Sequence, residues 1–567
     1  MEASWNARHR AEALAEAAAR EYDLVIVGGG INGAGLAREA ALRGFSFCLV
    51  DKNDFAFGTS SRSSKMVHGG MRYISQGELA LVRKSETERN WLRCQFPNLV
   101  RPAPFFYCAF ERGKDRPSHV YIGLAIYHVL SDWFSRFKNV RRPRFLTAAE
   151  LARMEPAFTA RDPGLGRVRV AGLYYDTNVD DARLTIETIK DGLAESSAPS
   201  VALNYARVTG FLRDAKGRVN GVDVTDELGG GSIAVRASAV AVCAGVWTDE
   251  VMKGTALNDG KIRPTKGAHI VVPNTRLGNN ASFGIRSFDD GRFFFVLRRG
   301  EYTVIGTTDT DYCRESGDLD DPRCTKSDCD YLLATVNRLF PAANLGYEDI
   351  LGAYAGIRPL IKRDDAENES AVSRGHEIFE SADGVFAIAG GKLTTYRLMS
   401  EELLLRMARR GAIRPFTMKA HRRAGFSRRP FKVGVTREEF DVEVSSRGLA
   451  GAMLPEQMEI LHRQYGRGGL DILEAVRGRP EAGKALIEDY PLCRAEVEFI
   501  LEHEMAPRLA DLLCRRTEAQ WQVPPRLQPQ LAAKTAAIMA EFYGWDEGRM
   551  RTEIQHYMEY EKDSLWF

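Results

Sequence analysis

A polar stretch at residues 59–73, TSSRSSKMVHGGMRY, gathers the kinds of side chain that surround an anionic ligand. It holds four serines, two arginines, a lysine and a histidine, with few side chains that could fill a core. Hydroxyl, guanidinium and imidazole groups donate hydrogen bonds, and a histidine can also exchange a proton near neutral pH. The stretch is therefore predicted to bind a ligand.

A glycine-rich turn lies upstream of this stretch. Residues 28–33, GGGING, fit the pattern G-x-G-x-x-G, in which glycines let the backbone approach a pyrophosphate at a helix N-terminus. Asp51 follows Gly33 by 18 positions, where a carboxylate can bind the hydroxyl pair of a ribose. The pattern predicts a dinucleotide site in which Gly28, Gly30, Asn32 and Gly33 contact the cofactor, and it does not separate NAD from FAD.

The elements that must position these residues are visible in the apolar pattern. Residues 24–27 and 45–50 are apolar runs that predict strands, and residues 31–43 between them have helical spacing. Together they predict a βαβ unit with the glycine turn at its first strand-to-helix junction.

Two features favour a flavin. The run GVFAIAGG ends in Gly390 and Gly391, and a helix is predicted to begin near Leu393. A helix N-terminus directed at a flavin stabilises negative charge on the reduced ring. The serines of residues 59–73 follow the second strand directly, where their hydroxyls can complete a pyrophosphate site. The cofactor predicted from these features is FAD.

Composition narrows the class of protein. The chain has 567 residues, 44% of them hydrophobic, which is enough for two or three domains. Its 78 lysines and arginines nearly balance 76 aspartates and glutamates, so no nucleic-acid partner is predicted. Nine scattered cysteines without a CxxC pair predict reduced thiols and no metal site. No apolar run reaches the roughly 20 residues that span a bilayer, and no signal peptide is predicted.

The order of these patterns predicts an α/β protein in three parts. Residues 1–21 are predicted to form a helical extension. Residues 22–417 are predicted to combine a Rossmann-like FAD-binding domain with an interleaved mixed-sheet substrate domain, because strand-like runs such as RFFFVLRR and YTVIGTT alternate with shorter helical ones. Residues 418–567 lose the strand patterns and predict a helical C-terminal domain.

A series of motifs in fixed order points to one family. The motifs DLVIVGGGINGAG, TSSRSSKMVHGGMRYI, DDARL, KGAHIVVP, VIGTTD, AGIRPL and GGKLTTYR resemble those of the FAD-dependent glycerol-3-phosphate dehydrogenases, which are D-amino-acid-oxidase-like flavoenzymes. The helical tail, with AEVEFILEHEMAPRLADLLCRRT, resembles the C-terminal domain of that family. The resemblance implies oxidation of sn-glycerol 3-phosphate to dihydroxyacetone phosphate, with hydride passing from C2 to N5 of a noncovalent FAD and electrons onward to a membrane quinone.

The resemblance also implies a set of site residues. A phosphate dianion needs fixed cations, and Arg72, Arg358 and Lys392 lie in matched motifs. The resemblance assigns these three to substrate binding, with Tyr73 beside them. Besides the glycine turn and Asp51, the expected cofactor contacts are Thr59, Ser60, Ser61, Ser64, His68, Val208, Gly391, Leu393, Thr394 and Thr395.

Removal of the hydroxyl proton has more than one candidate. His269 lies in the strand-like run KGAHIVV, and a neutral imidazole is suited to this task near pH 7. A histidine that only fills the core would give the same pattern. Alternatively, Arg358 lowers the pKa of the alcohol and the proton passes to water or to His68. His269 and Arg358 are the predicted catalytic residues, and the sequence leaves the choice of base open.

Residues 121–145, YIGLAIYHVLSDWFSRFKNVRRPRF, bear on partners and location. An apolar and aromatic run precedes Arg136, Lys138, Arg141, Arg142 and Arg144, a combination that can lie in a membrane interface. A core helix followed by a basic loop would look the same. With the resemblance, the segment predicts a peripheral or monotopic enzyme on the cytoplasmic face of the cell membrane, where a quinone is reachable. A homodimer is left open.

Three alternative functions share much of this pattern. A glycerol-3-phosphate oxidase that uses O2 would carry nearly the same residues and form hydrogen peroxide. An amine or amino-acid oxidase would need a carboxylate clamp and fewer cations. A nonenzymatic flavoprotein scaffold would hold a flavin that no substrate bleaches.

Overall fold

The computed structural model of the protein describes residues 5–74, 77–133, 139–159, 161–162, 164–257, 260–287, 291–313, 317–362, 375–416 and 429–564. Strands and helices are mixed in the first three quarters of the chain, and helices dominate the last quarter.

The strands are β1 (Glu21–Val27), β2 (Phe47–Val50), β3 (Met66–Val67), β4 (Arg101–Phe110), β5 (Arg144–Leu146), β6 (Arg161–Asp162), β7 (Gly166–Asn178), β8 (Val201–Leu203), β9 (Ala206–Arg213), β10 (Val219–Asp226), β11 (Ser232–Val242), β12 (Ile262–Pro273), β13 (Ser282–Arg286), β14 (Phe293–Arg299), β15 (Tyr302–Gly306), β16 (Thr310–Asp311), β17 (Gly352–Ile361), β18 (His376–Glu380), β19 (Phe386–Gly390), β20 (Ala485–Ile487) and β21 (Tyr490–Cys493).

The α-helices are α1 (Arg10–Ala19), α2 (Ile31–Ala41), α3 (Leu79–Gln95), α4 (Pro117–Asp132), α5 (Ala148–Met154), α6 (Asp181–Glu195), α7 (Thr248–Met252), α8 (Asn274–Leu277), α9 (Lys326–Leu339), α10 (Tyr396–Arg409), α11 (Arg437–Ser446), α12 (Pro455–Tyr465), α13 (Gly468–Gly478), α14 (Arg494–His503), α15 (Leu509–Asp511), α16 (Ala519–Gln522), α17 (Gln528–Tyr543) and α18 (Glu547–Ser564).

The first sheet carries the predicted βαβ unit. Its order is β18-β19-β11-β1-β2-β8, with β10 paired to β11 and β9 to β10. β1 pairs in parallel with both β11 and β2, and the buried runs of these strands suit parallel strands, which are covered on both faces. Helix α2 ends at Ala41, two residues before the predicted end, because Gly44 adopts a φ of 71° and turns the chain toward β2.

Small residues hold α2 close to its neighbours. A Cβ on Gly35 would lie 2.5 Å from the Ser400 hydroxyl oxygen of α10, and one on Gly192 of α6 would lie 3.1 Å from the backbone nitrogen of Arg38. Such close packing fixes the N-terminus of α2 at the carboxyl end of β1, the place where a parallel α/β sheet binds a dinucleotide.

The second sheet is mostly antiparallel. Its order is β16-β12-β15-β14-β13-β4-β7-β3, with β17 paired to β12 and with β5 and β6 paired to β7. The pairing of β12 with β15 and β17 places His269 opposite Gly306 on one side and Tyr354 on the other. This register decides which side chains share a face with His269.

The chain crosses between the two sheets several times. β1 and β2 lie in the first sheet, β3–β7 in the second, β8–β11 in the first, β12–β17 in the second, and β18 and β19 in the first. This order confirms the predicted fold class of a Rossmann-like domain interleaved with a mixed-sheet domain. Helices α11–α18 enclose a separate apolar core, as predicted for a helical C-terminal domain. The predicted boundary at residue 418 lies outside the described residues.

Candidate active site

Two adjacent cavities lie between the sheets. The first, of about 510 Å³, is lined by the ends of β1, β2 and β19 and by part of β9. The second, of about 210 Å³, is lined by β7, β12, β14 and β17. The two share lining residues, among them Thr59, Ser63, Pro359 and Lys392. A ligand in the first cavity can therefore touch a ligand in the second.

The glycine turn forms the rim of the first cavity. Gly28 adopts a φ of 109°, and a Cβ there would lie 2.6 Å from the carbonyl oxygen of Cys243. A Cβ on Gly33 would lie 1.8 Å from the carbonyl oxygen of Gly28. Side chains at these two positions would fill the turn, so only glycine lets α2 approach it this closely. Ser60 Oγ accepts a hydrogen bond of 2.9 Å from the backbone N–H of Ile31 at the start of α2.

Asp51 connects the turn to the end of β2. Its Oδ2 accepts a hydrogen bond of 2.6 Å from the N–H of Gly29, and its Oδ1 accepts one of 2.9 Å from the N–H of Asn53. Burial raises the pKa of Asp51 to about 6, although these two hydrogen bonds oppose the rise. The carboxyl group lines the first cavity, where it also holds the glycine turn in place.

The first cavity fits a dinucleotide. A glycine rim suits a pyrophosphate, the carboxyl group of Asp51 suits a ribose, and the apolar side chains of Val208, Phe211 and Trp247 suit a ring system. The predicted cofactor contacts that line this cavity are Gly28, Gly30, Asn32, Asp51, Thr59, Ser60, Val208, Gly391 and Leu393.

Three predicted cofactor contacts line neither cavity. Gly33 packs behind the turn as described above. Ser61 is buried, and its hydroxyl lies 3.5 Å from the carbonyl oxygen of Gly58. Thr395 is buried in the short 3₁₀ helix Leu393–Thr395, and its hydroxyl donates to the carbonyl oxygen of Lys392. The latter two hydroxyls bond within their own turns, a local competition that serine and threonine often show.

Cationic groups gather in the second cavity. Arg358 Nη1 donates a hydrogen bond of 2.8 Å to Asp309 Oδ1, and Nη2 donates one of 3.0 Å to Thr307 Oγ1. The Lys392 ammonium lies 3.4 Å from the ring centre of Tyr73, a cation–π contact. Arg292 lines the same cavity. The side chain of Arg72 lies outside the described part of the chain, so its predicted role stays a prediction.

His269 projects from β12 into the second cavity. Its Nε2 lies 2.9 Å from Ser64 Oγ, and its ring stacks on Tyr354 at a centroid distance of 4.8 Å. Burial lowers the pKa of His269 to about 3, and the charges of Arg358 and Lys65 contribute. The imidazole is therefore neutral at pH 7. Among the described residues, its Nδ1 has no hydrogen-bond partner.

His68 also lines the second cavity. Its backbone N–H donates a hydrogen bond of 3.0 Å to Thr394 Oγ1, and the Thr394 hydroxyl donates one of 3.1 Å back to the carbonyl oxygen of His68. This exchange joins residues 59–73 to the turn after β19. Ser64, His68 and Thr394 thus border the second cavity, although the sequence predicted them as cofactor contacts.

Several polar residues of the second cavity escaped the sequence prediction, among them Arg292, Asp309 and Asp176. Asp309 lies in the motif VIGTTD, which the resemblance marked without giving it a role. Its bond to Arg358 crosses 49 positions of sequence. No local pattern marks Arg292 or Asp176, because they reach the cavity through the pairing of distant strands.

Helix α4 has one buried and one exposed face. Val120, Leu124 and Tyr127 pack inward, whereas Ile122 is 59% exposed and Trp133 just beyond the helix is 77% exposed. Arg141, Arg142 and Arg144 are exposed, and Arg136 and Lys138 lie outside the described residues. Among the described residues, no helix combines the length and the apolar character that a membrane-spanning segment needs.

Comparisons with known proteins match most of this chain. A family model described as FAD dependent oxidoreductase matches residues 23–397, and one described as the C-terminal domain of alpha-glycerophosphate oxidase matches residues 435–550. The chain is 34% identical over 555 residues to glycerol-3-phosphate dehydrogenase 2 of Mycobacterium tuberculosis. The aligned region covers 97% of this chain and 89% of that protein.

Two further matches agree with these. The chain is 38% identical over 391 residues to the aerobic glycerol-3-phosphate dehydrogenase of Staphylococcus epidermidis. That aligned region covers 69% of this chain and 67% of the relative. The X-ray structure of the glycerol-3-phosphate dehydrogenase from Bacillus halodurans complexed with FAD is similar with a TM-score of 0.78 and 29% identity, over 99% of this chain and 98% of that one.

Proposed function

This chain belongs to the FAD-dependent glycerol-3-phosphate dehydrogenase family, and from that premise we propose that it oxidises sn-glycerol 3-phosphate to dihydroxyacetone phosphate. One observation carries the proposal: cationic side chains, among them Arg292, Arg358 and Lys392, and a neutral histidine line a small cavity that shares lining residues with the dinucleotide cavity. This combination suits a substrate that carries a phosphate group and an alcohol to be oxidised.

FAD belongs in the first cavity, where Gly28, Gly30, Asp51 and Ser60 would hold it, and when bound it supplies the acceptor for the hydride that leaves C2. The residues shared by the two cavities, Thr59 and Lys392 among them, would lie between cofactor and substrate.

The cations of the second cavity bind and orient the substrate in this proposal. Arg358 is held in place by Asp309 and Thr307, which leaves its guanidinium in one orientation when phosphate arrives. Lys392 and Arg292 add positive charge to the same cavity. Fixing the phosphate also fixes the distance of C2 from the cofactor, because the substrate is only a few bonds long.

His269 is the proposed first acceptor of the hydroxyl proton. Its imidazole is neutral, which leaves a nitrogen lone pair, and Ser64 holds the ring through Nε2. The low pKa makes it a weak base in the empty cavity. A bound phosphate dianion offsets the charge of Arg358, one cause of that low pKa, and so makes the imidazole more basic when substrate is present.

The electron acceptor and the location are also proposed. Exposed aromatic and apolar side chains on α4, followed by the exposed arginines Arg141, Arg142 and Arg144, suit a membrane surface with anionic lipids. We infer that this face docks the enzyme on the cytoplasmic side of the cell membrane, where a quinone would accept the electrons. A dimer stays an open alternative.

The decisive experiment is an anaerobic absorbance scan of the purified yellow protein before and after addition of sn-glycerol 3-phosphate. We expect the flavin band to bleach. Glycine and sarcosine serve as controls, and bleaching by either of them instead would favour the amine-oxidase alternative. A flavin that no substrate bleaches would refute the proposed oxidation. The acceptor is then tested with a soluble quinone and with air, where hydrogen peroxide would indicate the oxidase alternative.

A further inference from the structure

A cluster of buried ionisable groups lies behind the second cavity. Asp176 of β7 lines that cavity, Glu86 and Arg89 come from α3, and Tyr127 comes from α4. All four side chains are almost completely buried. Tyr127 donates a hydrogen bond of 2.6 Å to Asp176 Oδ2, and Arg89 Nη1 donates one of 3.1 Å to Asp176 Oδ1 and one of 3.0 Å to Glu86 Oε1.

The charges in this cluster do not balance. Two carboxyl groups share a single guanidinium, and the other contacts of Arg89 are neutral: Asn90, Ser131 and the carbonyl oxygen of Tyr175. Tyr174, which also lies near Asp176, is a buried phenol that carries no charge at neutral pH. Lys392, Arg292 and Arg358 line the same cavity as Asp176, but their charges act on it less than that of Arg89 does. Two carboxylates cannot both stay ionised cheaply in a dry interior beside one cation, so the pair retains a proton.

The pKa shifts of the two carboxyl groups agree with a pair that holds one proton. Burial raises the pKa of Glu86 to about 7, although Arg89 opposes the rise. Burial raises the pKa of Asp176 as well, again against the effect of Arg89. The pair can therefore gain and lose a proton near neutral pH.

The cluster also touches the backbone that carries His68. The N–H of Gly69 donates a hydrogen bond of 3.1 Å to the Tyr127 hydroxyl. A Cβ on Gly69 would lie 1.5 Å from Glu86 Oε1, which shows how closely this turn packs on the cluster. The cluster therefore adjoins the substrate cavity on two sides, through Asp176 and through the turn after His68.

We propose that Asp176 and Glu86, held by Arg89 and Tyr127, form a buried site that stores the proton released when the substrate alcohol is oxidised. The inference rests on the function proposed above. Oxidation removes the hydrogen at C2 with two electrons and breaks the O–H bond of the hydroxyl group. The hydroxyl proton passes to a histidine of the cavity and then to a carboxylate oxygen of the cluster, where a new O–H bond forms.

The first test asks whether the cluster holds a titratable proton at all. Infrared difference spectra of the FAD-loaded enzyme, recorded between about pH 5 and pH 9, should show the carbonyl stretch of a protonated carboxyl group that disappears as pH rises through neutrality. Glu86→Gln should remove this signal. Glu88→Gln is the matched control, because Glu88 is also buried on α3 but both of its carboxylate oxygens accept hydrogen bonds from Arg397, away from the cluster. A wild-type spectrum without such a signal would overturn the proposal.

A second variant covers the case in which Glu86→Gln does not fold. Tyr127→Phe keeps the ring and removes the hydroxyl that donates to Asp176. Loss of this hydrogen bond to the charged form should move the titration of the carboxyl signal to higher pH. An unmoved titration would exclude the cluster as the source of the signal and would overturn the proposal.

A third measurement links the cluster to turnover. A pH-indicator dye in an anaerobic single turnover near pH 7 should show that proton release into solvent lags behind flavin bleaching in the wild type. The lag should be lost in Glu86→Gln. Bleaching without any lag in the wild type would refute proton storage, whereas the absence of bleaching by sn-glycerol 3-phosphate would refute the proposed function instead.

Discussion

Arg358 is fixed on two sides by neighbours that leave it little freedom. Asp309 accepts a hydrogen bond from Nη1, and Thr307 accepts one from Nη2. A guanidinium that is pre-oriented in this way loses little rotational freedom when it binds a phosphate, and its planar donors match phosphate oxygens in pairs. Arg358 should therefore contribute both to substrate binding and to the alignment of C2.

Replacing Arg358 by alanine should raise KM and lower kcat together. Removal of one partner from a buried, hydrogen-bonded charge pair costs about 2–5 kcal/mol, so kcat/KM should fall by at least about 30-fold. The measurement is the rate of anaerobic flavin reduction over a range of sn-glycerol 3-phosphate concentrations. Arg263→Ala is the control, since Arg263 lies on the adjacent strand and pairs with Asp311 outside both cavities. Unchanged kinetics in Arg358→Ala would remove this residue from the site.

The charge state of His269 leads to a prediction about pH. Its pKa of about 3 means that the imidazole of the free enzyme does not change charge between pH 5 and pH 8. The second ionisation of a phosphate monoester, in contrast, lies near about pH 6. As pH falls below this value the substrate becomes a monoanion, which the cations of the second cavity bind more weakly. We expect kcat/KM to fall below about pH 6 for this reason.

The variant His269→Gln separates titration of the substrate phosphate from titration of His269 as the cause of this fall in kcat/KM. It should lower kcat/KM at every pH and leave the midpoint of the acid limb where it is in the wild type. Stopped-flow flavin reduction at several pH values measures this directly. A midpoint that shifts by about one pH unit or vanishes in the variant would mean that His269, and not the substrate phosphate, titrates.

At the scale of single residues, the sequence predicts residues within motifs but not the partners that orient them. Lys392, Arg358 and His269 were predicted from their motifs, and all three line the second cavity, while their roles stay predictions. Arg292 and Asp176 are absent from the prediction because their place depends on strand pairing between distant parts of the chain. The low pKa of His269 was likewise beyond the sequence, since it depends on burial and on two cations from other elements.

The element that matters most for the cofactor is the junction between β1 and α2. Its geometry needs glycine at two positions for different reasons: Gly28 adopts a positive φ, and Gly33 lies against the carbonyl oxygen of Gly28. The sequence predicted this junction well because the pattern of apolar runs and glycines is local. It predicted the end of α2 and the start of β2 less well, because the turn at Gly44 decides them.

Substitution of Gly33 by alanine should push α2 away from the glycine turn. The added Cβ would lie 1.8 Å from a backbone oxygen that cannot rotate away. Overpacking of this kind costs about 1–3 kcal/mol, so the affinity for FAD should fall by about tenfold or more. The ratio of flavin to protein absorbance in the purified enzyme, followed by titration with FAD, measures the loss.

Gly123→Ala is the matched control for this substitution. Gly123 also lies in a helix, but a Cβ there would meet nothing within 4 Å. It should retain the full FAD content and stabilise α4 by up to about 1 kcal/mol, since alanine favours helix more than glycine does. Equal flavin loss in both variants would show that the close approach at Gly33 is not the cause.

At the scale of the whole molecule, the C-terminal helical domain packs against residues that lie next to the residues lining the two cavities. Asp54, three residues after Asp51, pairs with Arg515 at 2.5 Å and with Arg516 at 2.8 Å. Near the second cavity, Trp521 packs against Tyr354, the ring on which His269 stacks. The sequence predicted a helical domain here but none of these contacts, because each joins residues more than 150 positions apart.

The Asp54 cluster should therefore stabilise the attachment of the C-terminal domain. Burial alone would raise the pKa of Asp54, but the guanidiniums of Arg516 and Arg515 lower it to about 2. A carboxyl group whose pKa is depressed in the folded state contributes stability above its unfolded pKa of about 3.8, and this contribution disappears as pH falls toward about 2.

Replacing Asp54 by asparagine leaves two buried guanidiniums without their shared carboxylate, a change that costs about 3–5 kcal/mol at neutral pH. Thermal unfolding followed by circular dichroism should show a lower midpoint for Asp54→Asn than for wild type at pH 7, with the gap narrowing below about pH 4. Asp441→Asn, which removes a half-exposed pair with Arg437, should cost less than about 1 kcal/mol. If Asp54→Asn unfolded at the wild-type midpoint at pH 7, the ion pairs would not be what holds the two domains together, and the apolar contact between Trp521 and Tyr354 would become the leading candidate.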